Sequence, residues 1–388
     1  MKKTILYISY DGMLEPLGQS QVLSYQERLA DEFDIHILSF EKSCDDLLRQ
    51  EISQRFEEAN LNWHPLNYHK RPAGISTAAD ILSGILKALI IVWKHNVDVI
   101  HARSYVPAVI AIFFKKVFGI KFIFDMRGFW ADERVDGGLW KKESYIFKLS
   151  KWFESKFILN ADHIISLTHA AVIEIKKFPY LADHSLNISV IPTCTDLDRF
   201  KLENSSNKLS NDSFVLGYVG SIGTWYNFDA VIDAFKELVI KQPKSKLLVV
   251  NQNENELIDS MLSAAGIGNK YFQITQATHH EIPALIHSMT AGIFFIKPLF
   301  SKQASAPTKL GEFLGCGIPC LSNRGIGDMT NILEGEGVGI AIKDFDQLSL
   351  QSGISQLLKL TTQPGIGERC YGVAKKYFSL DQGVADLR

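Results

Sequence analysis

Residues 215–250 read VLGYVGSIGTWYNFDAVIDAFKELVIKQPKSKLLVV. An apolar run ends in a glycine-rich turn at Gly220–Gly223. Apolar residues then recur at helical spacing across 228–240, and a second apolar run follows at 246–250. Strand, turn, helix and strand in that order make one βαβ unit. Its strands are apolar throughout because helices cover both faces of a parallel sheet. The pattern continues on both sides. Further strands are predicted at 4–10, 34–40, 97–102, 121–126, 163–168 and 187–192, and after the unit at 271–275, 291–297 and 318–322. Helical patterns lie at 20–32, 75–96, 281–289 and 308–316. The polar stretch DLDRFKLENSSNKLSNDS (196–213) separates two such series. The predicted fold class is α/β, with two doubly wound domains at 1–195 and 214–370 joined by a linker at 196–213. Ligands of such sheets sit beyond the carboxyl ends of the strands, and two domains facing each other would place them in the cleft between.

Lys+Arg numbers 41 and Asp+Glu 43, a net charge of -2, so no global basic field recruits nucleic acid. Cys44, Cys194, Cys316, Cys320 and Cys370 are few and scattered, as expected in a reducing compartment. The start MKKTILYISYDG has a short apolar run followed by Asp11 and Glu15, which reads as a first strand rather than a signal peptide. The apolar stretches 81–93 and 106–114 fall short of the ~18 residues that span a bilayer. The expected location is cytoplasmic.

The segment SKQASAPTKLGEFLGCGIPCLS (301–322) carries the most chemistry. Pro307 suits a first helical turn and Ser305 its cap. Lys309 then falls in the first turn, and Glu312, three residues on, shares its face. A helix N-terminus and a lysine favour phosphate, and Thr308 stands beside them. A carboxylate one turn deeper can accept hydrogen bonds from a ribose diol. Together they fit a nucleotide; the alternative is a surface helix with one Glu and one Lys.

The run PTK-x2-EFL-x-CGIPC near the end of a two-domain α/β chain resembles glycosyltransferase family 4. The resemblance covers nearly the whole chain. It implies the GT-B fold: two Rossmann-like domains with the active site between them, and a last helix, 371–388 here, packing back on the first domain. It also implies sugar transfer from a nucleoside diphosphate sugar to a hydroxyl with retention, without metal or other cofactor. The family signature is Glu-x7-Glu. Its second Glu, which holds the donor ribose, matches Glu312, whereas Ala304 stands at the first. The chain is closer to the branch with a Ser/Pro/Thr/Lys run before a single Glu, common in bacterial surface-polysaccharide loci. The turn Gly220-Ser221-Ile222-Gly223 resembles the family's G-R-L-x3-K-G loop on the donor pyrophosphate. Ser221 and Tyr226 stand where that loop has its Arg and Lys. Lys309, Lys302, Lys297 and Arg127 are the candidates to offset the charge.

The segment FDMRGFWADERVDGG (124–138) follows a strand, where family enzymes often place a His near the reacting sugar. Here Asp125 is expected to take sugar hydroxyls and Arg127 a phosphate or acidic sugar. The alternative is an Asp–Arg pair that only ties down a loop. Trp130 and Glu133 join His101 and Arg103, from the strand end VIHARS (99–104), as expected sugar or acceptor contacts. The first βα loop, 11–24, offers Gly18 for close approach to the donor and Ser20 as an N-cap. Asp196, in a run resembling the family's hinge entry, reads as structural. Cys316 and Cys320 read as core, and His279-His280-Glu281 as a helix start.

The expected catalytic residues are therefore Arg127, Asp125 and Lys309. The expected donor contacts are Gly18, Gly220, Ser221, Gly223, Ser305, Thr308, Lys309 and Glu312. The helical pattern at 139–159 interleaves aromatic residues with lysines; it either packs on the sheet or meets anionic lipid. A saccharide or lipid-linked acceptor, with the chain peripheral on the inner face of the membrane, would suit the second case. Two other readings remain: an epimerase of the same fold, and a non-catalytic partner subunit.

Overall fold

The computed structural model describes residues 2–43, 46–72, 74–182, 184–203, 213–278 and 280–388. The chain divides into two compact units, one comprising Met1–Ile191 with Gly383–Arg388, the other Pro192–Gln382.

The first unit runs β1 (Lys3–Ser9), α1 (Pro16–Gly18), α2 (Ser24–Leu29), β2 (Phe33–Glu41), α3 (Asp46–Glu58), β3 (Asn62–Asn67), α4 (Ile75–His95), β4 (Val99–Arg103), α5 (Tyr105–Phe118), β5 (Lys121–Asp125), α6 (Trp130–Asp136), α7 (Tyr145–Asn160), β6 (His163–Ser166), α8 (His169–Lys176) and β7 (Ile188–Val190). Its sheet has the order β3-β2-β1-β4-β5-β6-β7, all parallel. The order turns round between β1 and β4. Right-handed crossovers then put α4, α5 and α7 on one face.

One strand of this unit was not foreseen, and three local expectations are corrected. The strand β3, NWHPLN, is polar and contains Pro65; it forms because it lies at the sheet edge, where a missing N–H costs no ladder bond. The first helical segment begins at Pro16 and passes through a π turn (Gln19–Leu23), so the long first loop shrinks to about residues 10–15. Ser20 is no N-cap, because its hydroxyl donates back to the Pro16 carbonyl at 2.9 Å. The helix expected at 139–159 starts at Tyr145, where Ser144 Oγ accepts the Phe147 N–H at 3.3 Å.

The second unit runs β8 (Val215–Val219), α9 (Phe228–Lys241), β9 (Lys246–Val250), α10 (Asn255–Ala264), β10 (Phe272–Thr275), α11 (Ile282–His287), β11 (Ala291–Ile293), α12 (Thr308–Gly315), β12 (Cys320–Asn323), α13 (Met329–Gly335), β13 (Gly339–Ile342), α14 (Gln347–Thr361) and α15 (Ile366–Phe378), and α16 (Leu380–Leu387) ends the chain. The sheet order is β10-β9-β8-β11-β12-β13, again all parallel, and it turns round between β8 and β11. The core is rich in aromatics: Tyr218, Phe235, Phe294, Phe295 and Phe313 are fully buried. Gly292 lets α12 lie close to the sheet, since a Cβ there would stand 2.9 Å from the Phe313 ring.

Candidate active site

In the second unit the sheet order turns round at β8 and β11, where open parallel sheets bind ligands. The chain leaves β8 at Gly220, whose φ of +106° is costly for any residue with a side chain. A Cβ on Gly220 would lie 3.3 Å from Lys309 Nζ. Two residues 89 positions apart in the sequence are thus brought together at one strand end.

Helix α12 begins at Thr308 with Pro307 as its N-cap and no side-chain cap. Ser305, expected to cap it, instead closes the 3-10 turn Phe300–Ala304, its N–H donating to the Lys302 carbonyl at 3.1 Å. The cause is the extended backbone at Pro307, which sets the first helical residue at Thr308. No side chain caps this end, and the Leu310 N–H donates to the Pro307 carbonyl at 3.1 Å; the positive end of a helix favours an anion.

Lys309 is buried, and its Nζ has no hydrogen-bond partner among the described residues. It lies 3.9 Å from the centre of the Tyr226 ring, 4.9 Å from Tyr218 and 5.6 Å from Phe294. Burial pushes its pKa down to about 7, against the opposing charge of Glu312. Glu312 is pushed up to about 7 by burial, opposed by Lys309 and Arg199, although its side chain keeps some surface in solvent. Tyr226, which stands where a lysine was expected, forms one wall of this aromatic box. Ala304, at the position of the family's first Glu, is buried.

The glycine loop holds a partner that sequence reasoning missed. Glu254 accepts the Ser221 hydroxyl at 3.2 Å and the Ile222 N–H at 2.9 Å. Asn251 Nδ2 donates to Glu254 at 2.9 Å and to the Gly220 carbonyl at 3.0 Å, while Gly223 N–H donates to Ser221 Oγ at 3.1 Å. Burial works against the Glu254 charge, but hydrogen bonds from Asn251, Ile222 and Ser221 outweigh it and hold its pKa low. Ser221 and Gly223 are therefore committed to shaping the loop, and Gly220 is the member that meets Lys309. Nothing in NQNENE marks Glu254 out beforehand. Lys302 places Nζ 3.8 Å over the Trp225 ring, and Lys297 donates to the Thr224 carbonyl at 2.9 Å.

In the first unit the corresponding turn is at β1 and β4. Arg103 ends β4 opposite Asp125, which ends β5. Arg103 Nε donates to Asp11 at 3.2 Å, and its Nη1 lies 3.7 Å from Asp125. His101 Nε2 is also 3.7 Å from Asp125, and Arg127 Nη1 is 3.8 Å away. Burial disfavours the Asp125 charge, yet Arg127, His101 and Arg103 together hold its pKa below the ordinary value. Arg127 adopts φ +55°, uncommon for a residue with a side chain and typical of strained functional loops. Burial raises the pKa of neighbouring Tyr7 to about 12. A cavity of about 20 Å³ lies among Tyr7, Gln21, His101, Asp125 and Arg127, room for a single water.

Asp125, Arg127, His101 and Arg103 thus form one cluster. Trp130 and Glu133 open α6 instead, and the Trp130 ring packs 5.5 Å from Tyr105 and 5.1 Å from Trp140, with Arg134 over its face. Gly18 is explained without a ligand: its φ is an ordinary −61°, and a Cβ there would sit 2.0 Å from the Gly12 carbonyl oxygen. The loop it packs on is fixed by buried Glu41, which accepts the Met13 and Leu14 N–H groups at 2.9 and 3.1 Å. Cys316 and Cys320 lie in the core. His279 falls outside the described residues, and Glu281 accepts the Thr278 N–H and hydroxyl, both at 2.8 Å. A much larger cavity, about 1210 Å³, borders Lys244, Thr290 and Pro319 at the amino ends of the second sheet, the end opposite Gly220 and Lys309.

Residues 200–369 match the family model described as glycosyl transferases group 1, and residues 21–199 match that of Glycosyltransferase Family 4. A capsular polysaccharide biosynthesis glycosyltransferase, CapM of Staphylococcus aureus, is 45% identical over 60 residues; the stretch is 16% of this chain and 16% of that protein. The match therefore spans about one sixth of the curated relative's length. Sucrose-phosphate synthase from Thermosynechococcus elongatus has a TM-score of 0.75 at 13% identity, covering 100% of this chain and 97% of its own. Anabaena HepE, solved with UDP and glucose, gives 0.70 at 13% identity, covering 99% and 97%. Likeness at such identity speaks to fold. With two adjoining family models and two open parallel sheets of this order, the chain belongs to glycosyltransferase family 4 and has the GT-B fold.

Proposed function

We propose that the protein transfers a sugar from a nucleoside diphosphate sugar to a hydroxyl acceptor, with retention, in the synthesis of a cell-surface polysaccharide or glycolipid. The observation that carries this reading is Lys309: a buried ammonium in an aromatic box, without a hydrogen-bond partner among the described residues, at a helix start with no side-chain cap, with Glu312 one turn on. A diphosphate supplies the missing anion, and its ribose diol can donate to Glu312. In the reaction the bond from the anomeric carbon to the diphosphate oxygen breaks, and the electron pair leaves with the phosphate. The acceptor oxygen bonds to that carbon, and its proton passes to the leaving phosphate. Lys309 and the first-turn amides at Thr308 stabilise the charge that develops. In the first unit, Asp125 is assigned to sugar hydroxyls, with Arg127, Arg103 and His101 facing sugar or acceptor. The capsular relative and the UDP-bound neighbour support a surface-polysaccharide role and a nucleotide donor. A lipid-linked acceptor reached from the cytoplasmic side of the membrane fits that role.

The test is incubation with a panel of nucleoside diphosphate sugars and extracted lipid and saccharide acceptors. One donor should release its nucleoside diphosphate only when acceptor is present, and Lys309→Ala should slow release by about 100-fold or more, the scale of losing one preorganised charge contact. Conversion of the donor to an epimer without acceptor would establish the epimerase reading instead. Absence of turnover with every donor would favour the non-catalytic one.

A further inference from the structure

Helix α4 packs one side onto its own unit through Ser76, Asp80, Gly84, Ala88 and Ile91. Gly84 sets the contact, since a Cβ there would stand 2.6 Å from Ile110. The other side carries Ile75, Leu82, Leu86, Ile90 and Trp93, each between 56% and 87% exposed. At about 100° per residue these five fall within an arc of about 80°. Such a stripe ordinarily faces a core; left in solvent it marks an interaction surface. Val117 and Phe118, at the exposed end of neighbouring α5, add to it.

The charges decide what covers the stripe. The one acidic residue of α4, Asp80, is fully buried and accepts from Tyr10 and His69, and α5 contains no acidic residue. Exposed positive charges border the two helices at Lys70, Arg71, Lys94 and Lys116, and the exposed carboxylates nearby are engaged, Asp98 accepting the Thr4 N–H at 2.8 Å and Asp162 pairing with Lys115 at 2.6 Å. The apolar stretch 81–93 is by itself too short to cross a bilayer, but it lies inside the helix expected at 75–96. The helix is in fact 21 residues, long and apolar enough to cross by length and composition. Its inner side, with Asp80 held against Tyr10 and His69, is committed to the fold, so it cannot span.

We propose that the α4–α5 face docks on the surface of an anionic lipid bilayer. The helix lies in the plane of the interface, the stripe sinks to the acyl boundary, Trp93 sits at head-group level and the lysines meet lipid phosphates. This surface is distinct from the 139–159 helix and does not depend on the nucleotide reading.

Co-sedimentation with vesicles tests it. The wild type should pellet with phosphatidylglycerol-containing vesicles, much less with pure phosphatidylcholine, and should be released by high salt. The double variant Leu86→Glu/Ile90→Glu should bind at least ten-fold more weakly. An unchanged melting temperature would show that it is folded, and unchanged nucleotide affinity would separate docking from the donor site. Leu348→Glu, at a position in the second unit more exposed than either, should bind as wild type. The proposal is overturned if the wild type stays in the supernatant with anionic vesicles, or if the double variant pellets undiminished. It is also overturned if ultracentrifugation shows a dimer that the double variant dissociates, because the face is then covered by a second copy.

Discussion

Lys309 titrates near neutrality because three rings from distant parts of the chain displace water from its ammonium group. The sequence placed it in a first helical turn, with Glu312 on the same face, and that much was legible from spacing alone. The box was not, since Tyr218, Tyr226 and Phe294 come from β8, the loop after it, and the exit of β11. A diphosphate brought to this lysine favours its charged form. The free protein is largely deprotonated there at pH 8, so nucleoside diphosphate binding at pH 8 should take up a proton. Calorimetry in buffers of different ionisation enthalpy reads this directly. Lys309→Met should abolish the uptake; uptake unchanged in that variant would mean another group carries it. Gly220 is the second sensitive residue, with φ +106° and Lys309 Nζ 3.3 Å from where a Cβ would stand. Gly220→Ala should cost about 1–3 kcal/mol in denaturant unfolding and weaken nucleotide binding as well. A variant unchanged in both would show that neither the backbone nor the lysine is held as described.

At the level of elements, the long apolar strands and the helices between them were legible because burial on both faces writes itself as continuous apolar runs. What escaped were elements whose reason lies in a neighbour. The edge strand β3 is such a case, formed by pairing with β2 despite its polar residues and Pro65. Its His64 Nε2 stands 2.9 Å from His36 Nδ1 on β2, and the His95 ring at the end of α4 lies 4.1 Å from that of His36. Burial and then the neighbouring histidine lower the His64 pKa to about 4, and burial lowers that of His36. The unfolded chain takes up protons near pH 6.5, while the folded unit resists them until about pH 4, so stability falls as pH drops through that window. The melting temperature should be lower at pH 5 than at pH 7.5, and His64→Asn should reduce the difference. Equal pH sensitivity in the variant would contradict this account. The Glu254 bridge across the glycine loop was also hidden, because a carboxylate in a polar loop carries no signature until its partners are seen.

At the scale of the whole molecule, two open parallel sheets each place a charged cluster at the point where strand order turns round, and each cluster combines residues from separate crossovers. The alternation of strands and helices was enough to foresee both sheets, and the run PTK-x2-E was enough to foresee Lys309 and Glu312 together at the start of a helix. The cluster around Asp125 needed the register, since β4 and β5 must pair for Arg103 and His101 to stand by Asp125. The proposed donor site requires Glu312 and Lys309 to hold a nucleoside diphosphate. Calorimetric titration of the wild type and Glu312→Ala with UDP, GDP, ADP and TDP tests that most directly. One nucleotide should bind the wild type, and the variant should lose about ten-fold or more in affinity, the scale of hydrogen bonds to a charged group worth about 1.5–3 kcal/mol. If no nucleoside diphosphate binds the wild type, or the variant binds it equally well, the donor site is not the one at the start of α12.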